Sequence, residues 1–251
     1  MIAPEIRLIA LHGIPEIKPN DDLPHLIALA AKRSGIRFQH KDVLIVTQKV
    51  VSKAEGRVVK LDSIEPSASA TSFARILKKD ARVIELILRE TKRIVKMARG
   101  IIIVETRHGF VCANAGVDQS NVKKGSASLL PINPDESAEN LRDQIRKETG
   151  AEIGVVISDT FGRPWREGQV DVAVGIAGIG PLIDYRGKRD RYGYQLKATV
   201  IAAADELASA AELVMGKLSG VPAVVVRGFR GPFTNGSSRE LVRAWSRDLF
   251  R

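Results

Sequence analysis

Cysteine is nearly absent, with Cys112 the one example among 251 residues. A lone thiol excludes an intramolecular disulfide and a thiolate-rich zinc site, and it fits a reducing compartment. Histidine is scarce too: the four lie at positions 12, 25, 40 and 108 with no His-x3-His spacing, so a zinc-protease reading has no ligand set. There is no Gly-x-Ser-x-Gly elbow, which removes the serine-hydrolase reading. Neither standard phosphate cradle is present, since the chain lacks both Gly-x4-Gly-Lys-Ser/Thr and a Gly-x-Gly-x-x-Gly turn opening a helix. Aromatic residues make up only 5% and are not interleaved with the basic ones, which is poor material for stacking bases and argues against nucleic acid as a partner. No run reaches the roughly 18 uninterrupted apolar residues of a membrane span, and the N-terminus, with Glu5 and Arg7, has no signal-type apolar core. The expectation is a soluble, cytoplasmic protein with no membrane partner.

What is present is ordinary in amount and unusual in sign. A hydrophobic share of 44% with 27% charged residues suits a globular chain, while the formal charge of +10 suits phosphate-bearing or otherwise anionic partners of any size. The charge is spread: residues 75 to 107 hold ten basic and four acidic side chains, and no basic tail stands out. Short β-branched runs alternate with helical periods, the pattern of a mixed α/β (α+β) protein. Strands are predicted over Asp42 to Thr47, Gly100 to Glu105, Phe110 to Ala113, Ile153 to Ser158, Val170 to Ala177 and Pro222 to Arg227. Helices are predicted over Asp21 to Lys32, Ala81 to Met97, Asp135 to Thr149, Ala198 to Met215 and Ser237 to Phe250. No repeat or linker divides the chain, so residues 1–251 read as one domain, with any second subdomain interwoven with the first.

Four polar strings follow these elements. Ser158-Asp159-Thr160-Phe161-Gly162-Arg163-Pro164-Trp165-Arg166 places a carboxylate and a hydroxyl at the end of a buried strand, followed by a Gly turn and two arginines. That is suitable material for a corner binding Mg²⁺ and phosphate, and equally for a capped turn with solvated arginines. Asn114 to Val122 brings Asp118 out of another strand, and two carboxylates from separate loops suit a hard cation bridging phosphates, although an Asx-rich turn uses the same residues. Thr47 to Arg57 spaces Lys49, Lys53 and Arg57 helically, as either a phosphate-facing set or a solvated face. Gly13 to Lys18 reads as a rigid turn before a helix.

Taken in order, Gly-Ile-Pro-Glu-Ile-Lys at 13 to 18, Val-Ser-Lys-Ala-Glu-Gly-Arg at 51 to 57, Glu-Thr-Arg-His-Gly-Phe at 105 to 110, Asn-Ala-Gly-Val-Asp-Gln-Ser-Asn at 114 to 121, Ser-Asp-Thr-Phe-Gly-Arg-Pro-Trp at 158 to 165 and Met-Gly-Lys at 215 to 217 closely resemble the coenzyme F420 gamma-glutamyl ligase family over residues 5 to 230. The resemblance implies a family-specific α/β fold in an intertwined homodimer. It implies a GTP-dependent ligase that adds L-glutamate to the coenzyme F420 precursor through an acyl phosphate, releasing GDP and phosphate, and then adds further γ-linked glutamates. Asp118 and Asp159 are implied as catalytic metal ligands, with Thr160 as a further metal ligand, for two divalent ions, Mg²⁺ or Mn²⁺, with K⁺ as an additional ion. Nucleotide contacts are implied at Ile14, Pro15, Glu16, Ile17, Gln48, Lys49, Lys53, Asn121, Met215, Gly216 and Lys217. No fused flavin-binding redox domain, such as some actinobacterial relatives carry, is expected. The chain departs from the pattern where some archaeal relatives have Ser-Thr in place of Gln48-Lys49 and Glu in place of Lys217. A same-family ligase acting on another acidic acceptor and a basic RNA-binding protein are the alternative readings.

Overall fold

The computed structural model describes residues 4–248. Its twelve strands are β1 (Arg7–Ala10), β2 (Val43–Thr47), β3 (Val58–Lys60), β4 (Thr91–Ala98), β5 (Ile101–Thr106), β6 (Val111–Ala113), β7 (Ser126–Ser128), β8 (Gly154–Arg163), β9 (Arg166–Ala177), β10 (Ile183–Asp184), β11 (Val200–Ile201) and β12 (Ala223–Arg227). Its six α-helices are α1 (Leu23–Arg33), α2 (Gln48–Ala54), α3 (Ala68–Leu77), α4 (Ala81–Glu90), α5 (Pro134–Thr149) and α6 (Ala203–Met215). The mixed α/β class expected from the sequence is the one observed.

β1, β12, β2, β8 and β9 form the main sheet in that order, and β2 and β8 are its parallel pair. The run Val43-Leu44-Ile45-Val46 is buried on both faces, which is why it lacks polar alternation. Leu44 and Val46 join Val155 and Ile157 beneath α1 and α5, whose Ile27, Leu141 and Ile145 complete that layer. Val43, Ile45 and Val156 face the other way, onto Ala204, Ala208, Ala211 and Met215 of α6. The alanines of α6 let it lie close to the sheet, as its composition suggests. α5 has the end chemistry that fixes a helix: Asn133 caps it, Pro134 occupies the first turn, and Gly150 closes it at φ 74°.

Residues 61–129 build a separate apolar cluster from α3, α4, β5 and β7, centred on Ile84, Ile87, Ile102 and Val104. The expected helix Ala81 to Met97 is here two elements. α4 ends at Glu90 and β4 takes Thr91 to Ala98, pairing antiparallel with β5 across Arg99-Gly100. Both turn residues have positive φ, 50° and 77°, which matches the twist of a tight hairpin, and β-branched Ile94 and Val95 suit a strand better than a helix end.

The other expected boundaries shift. The helix placed at Ala198 to Met215 begins at Ala203, because Val200 and Ile201 pair with Ile183 and Asp184. The helix expected over Ser237 to Phe250 is replaced by two 3₁₀ turns, Ser238–Leu241 and Trp245–Arg247; Leu249 and Phe250 lie outside the described residues. Asp135 accepts from the Ser237 hydroxyl and the Ser238 amide, and the Arg93 guanidinium lies 4.4 Å over the Trp245 ring, so contacts to the body outcompete helical coiling. The strand expected to end at Ser158 runs on to Arg163 and returns as β9 in one long hairpin. Among the described residues no helix is long and apolar enough to cross a membrane.

Candidate functional site

β2 and β8 run parallel, with Thr47 opposite Ser158, and ligands in α/β sheets gather beyond the carboxyl ends of such strands. Here β2 turns directly into α2 at Gln48 while β8 continues past it. A β-bulge between Ile157 and Ser158 re-aims the residues that follow, pairing Asp159 with Val172 and Thr160 with Asp171. The Ser158 string is therefore strand and hairpin, not a loop corner. Arg163 donates to the Glu167 carbonyl within the hairpin and Arg166 is exposed, so neither joins the carboxylates.

The second string forms the opposite wall. Asn114, Ala115 and Gly116 are all left-handed, at φ 54°, 54° and 72°, and Ala115 is buried in this unfavourable conformation. A Cβ at position 116 would lie 2.8 Å from Leu130, so glycine serves both conformation and space there. The chain leaves this turn into a two-way backbone pairing of Asp118 with Ser128, with N···O distances of 3.1 and 2.8 Å. The Asp118 carboxylate then accepts from the Ser120 amide at 2.8 Å and hydroxyl at 2.6 Å.

Lys49 and Lys53 stand one turn apart on α2. Lys49 Nζ donates to the Asp118 carboxylate and to the Ser120 carbonyl and hydroxyl at 2.9 and 2.8 Å. Lys53 is almost wholly buried along its stem and pairs with Glu16 at 2.5 Å, tying the Gly13 to Lys18 segment to the helix. Arg57, past the helix end, turns to Glu90 and the Leu130 carbonyl, each at 3.0 Å, and does not continue the lysine face. The third wall comes from the end of α6. Lys217 Nζ donates to Thr160 Oγ1 at 2.7 Å, to Asp171 Oδ1 at 3.1 Å and to Glu212 Oε1 at 3.0 Å.

Other expected site residues have structural positions. Ile17 and Met215 are buried in the two core layers and Ile14 packs at the edge of one; Pro15 is exposed. Gln48 is buried and accepts from the Ser52 hydroxyl at 2.9 Å. Gly216 ends α6 at φ 58°, and Asn121 is exposed on the Asp118 loop at φ 52°. The sequence reading missed Asp171. It is 2% exposed and accepts from Ser158 Oγ at 3.0 Å and Thr160 Oγ1 at 2.7 Å, which locks both carboxylate oxygens. An isolated Asp inside Val170-Asp171-Val172-Ala173-Val174 was its one signal.

The carboxylates differ electrostatically. Burial pushes Asp159 up to about 7, the Thr160 amide and the nearby Lys49 charge oppose this, and the charges of Asp171 and Asp118 add to the rise. Burial also acts on Asp118, but hydrogen bonds from Lys49 and Ser120 outweigh it and hold that carboxyl below its ordinary value. Burial, reinforced by the Asp159 charge, lifts Cys112 to about 12, so it remains a neutral thiol. Among the described residues, no three His, Cys, Asp or Glu side chains converge on one point. Two carboxylates and the Thr160 hydroxyl are nevertheless a hard oxygen set of the kind that Mg²⁺ uses together with water and phosphate oxygens.

Residues 13–228 match the model of the F420-0:gamma-glutamyl ligase family. The chain is 45% identical over 249 residues to the coenzyme F420:L-glutamate ligase of Methanothermobacter thermautotrophicus, covering 98% of this chain and 99% of that one. It is 49% identical over 211 residues to the ligase of the same name from Methanocaldococcus jannaschii, 84% of each chain. To that of Methanopyrus kandleri it is 47% identical over 256 residues, 99% of this chain and 98% of the relative.

Proposed function

Because this chain belongs to the F420-0:gamma-glutamyl ligase family, we propose that it is the enzyme that joins L-glutamate to the coenzyme F420 precursor, using GTP to activate the acceptor carboxylate. The observation that carries the reading is the gathering of Lys49, Asp118, Asp159 and Thr160 at the carboxyl ends of β2 and β8, with Lys53 one turn further along α2 from Lys49.

A carboxylate does not form an amide with an amine unassisted. In the proposed reaction the γ-phosphoryl of GTP moves to the precursor's carboxylate oxygen, giving an acyl phosphate and GDP. The glutamate amine attacks the acyl carbon, the C–N bond forms, the C–O bond to phosphate breaks, and the amine loses a proton. Phosphoryl transfer of this kind asks for positioning and charge compensation more than covalent work. Lys49 and Lys53 supply two positive charges on one helix face for the phosphates. Asp118 and Asp159, with Thr160 beside them, would hold a divalent ion, which when bound offsets phosphate charge. The acyl phosphate needs protection from water, and the half-buried setting of Asp159 and Thr160 favours it.

A homodimer is part of the proposal. Trp165 at the tip of the β8–β9 hairpin, Tyr192 between β10 and β11, and Leu213 and Leu218 at the end of α6 are 78%, 90%, 84% and 100% exposed, apolar area that a second copy would cover. Light scattering should give twice 27.3 kDa, and the mass of one chain at micromolar concentration removes the dimer. For the activity, purified protein is given GTP, Mg²⁺, glutamate and the deazaflavin precursor, with GDP and the glutamylated product measured together. Product formation that needs all four supports the reading; GDP release indifferent to precursor and glutamate counts against it.

A further inference from the structure

The end of α6 carries a feature that the ligase reading does not require. An ammonium group has three N–H donors, and those of Lys217 meet three oxygens: Thr160 Oγ1, Asp171 Oδ1 and Glu212 Oε1. Two carboxylates and a hydroxyl are also what a hard divalent ion would draw upon. The anchor is rigid. Asp171 is 2% exposed, sits within β9, and has its second oxygen bound by Ser158, so the group facing Lys217 is held by the sheet. The lysine itself is half-exposed and arrives from the segment after Gly216, where the helix has ended and the backbone is left-handed. Its ammonium is held more firmly in the charged state than an ordinary lysine: burial acts against this, but Glu212 and Asp171 outweigh it. Asp159, by contrast, lies in the same corner and has no ion pair among the described residues.

We infer that Lys217 is a tethered cation that fills the Asp171–Thr160–Glu212 oxygen cluster, so that the chain takes one divalent ion, at Asp118 and Asp159, where two would otherwise fit. The inference rests on the assignment of Asp118 and Asp159 as metal ligands in the proposed ligase. A positive charge fixed by the chain needs no recruitment from solution and cannot be removed by a chelator. Lys217 is then a positioning residue: it holds Thr160 and Asp171 in place beside the site.

The test counts ions and does not depend on turnover. Parent protein, Lys217→Ala, Lys217→Arg and Asp159→Asn are each titrated with Mn²⁺ alone, and bound ions per chain are read from the electron paramagnetic resonance signal of free Mn²⁺. Lys217→Ala should bind one more ion per chain than the parent, while Lys217→Arg, which keeps the charge, should bind the parent's number. An equal count in parent and Lys217→Ala overturns the inference, as does an extra ion in Lys217→Arg. The underlying assignment is judged separately by Asp159→Asn, which should lose the parent's ion. A parent count retained in that variant overturns the metal role of Asp159, whatever Lys217→Ala does.

Discussion

Asp118 and Asp159 face one corner from opposite circumstances. Asp118 rides on a loop, braced by a left-handed turn and a backbone pairing with Ser128, and its charge is neutralised by Lys49. Asp159 lies within a strand, with burial and neighbouring carboxylates pressing on it and no cation bonded to it among the described residues. The first is an anion already compensated; the second is held near its neutral form, and in the proposed site it would give up a proton when a cation arrives. A two-carboxylate site built from unlike halves needs only one of them to change state on binding. The largest effect should come from removing the half that changes. Asp159→Asn is expected to keep the fold and lower turnover about 10³-fold, roughly 4 kcal/mol of transition-state stabilisation. Rates within threefold of the parent at saturating Mg²⁺ and Mn²⁺ would refute its role.

The same contrast sets a pH dependence. In the proposed metal site a proton must leave Asp159 before a cation binds, and its value of about 7 makes that proton compete below neutrality. Mn²⁺ affinity should fall about tenfold for each pH unit below 7 and level off above it. In Asp159→Asn any remaining affinity should be flat across pH 5 to 7, since Asp118 titrates below its ordinary range. Titration calorimetry of the parent at pH 5, 6, 7 and 8 decides it, and a flat profile removes Asp159 as the titrating ligand.

How far the two halves were legible in sequence follows from their structure. Both aspartates stood after apolar β-branched runs, so their strands and their approach to a common place could be argued from local pattern. The buried strands β2, β8 and β12 and the capped α5 came through for the same reason, each carrying its signal within a few residues. Asp171 did not, because its meaning depends on lying opposite Thr160 across a hairpin whose bulge shifts the register. The hairpin of β4 and β5 was hidden because Arg99-Gly100 is not among the strong turn pairs and the stripe of Ile84, Ile87 and Leu88 ran on into Ile94 and Val95. The tail misled for another reason: its sequence permits a helix, and Asp135 and Arg93 from distant segments decide otherwise.

Lys53 sharpens the comparison through its proposed role in nucleotide binding. Its stem is buried and, among the described residues, its ammonium pairs with Glu16 alone, so removing it frees Glu16 without touching either aspartate. Lys53→Ala should raise the KM for GTP about tenfold, near 1.4 kcal/mol, and leave that for glutamate within about twofold. Equal GTP affinity in variant and parent, measured by calorimetry, would make Lys53 a structural residue that only fastens the N-terminal segment.

The smallest effect is on stability, and it separates the two carboxylates without any substrate. Asp159 moves from its usual 3.8 to about 7 on folding, so between about pH 4 and 7 the native chain keeps a proton that the unfolded chain has shed. Stability therefore falls as pH rises through that window, by about 2 kcal/mol once the full linkage value is halved for the water that reaches this half-buried group. Asp118 works in the opposite sense: its folded value is depressed, so its contribution is present above its unfolded value and is lost as pH falls through the folded one. For metal-free protein, Asp159→Asn should raise the melting temperature by about 4 to 8 °C at pH 8 and leave it near the parent's at pH 4. Asp118→Asn should lower it at pH 8, by a smaller amount because Lys49 loses a partner that still meets water, and the deficit should shrink toward pH 3. Melting curves of the three proteins at the two ends of the range are enough: if both substitutions shift stability with the same sign at pH 8, the two carboxylates are alike and the division of labour drawn between them is wrong.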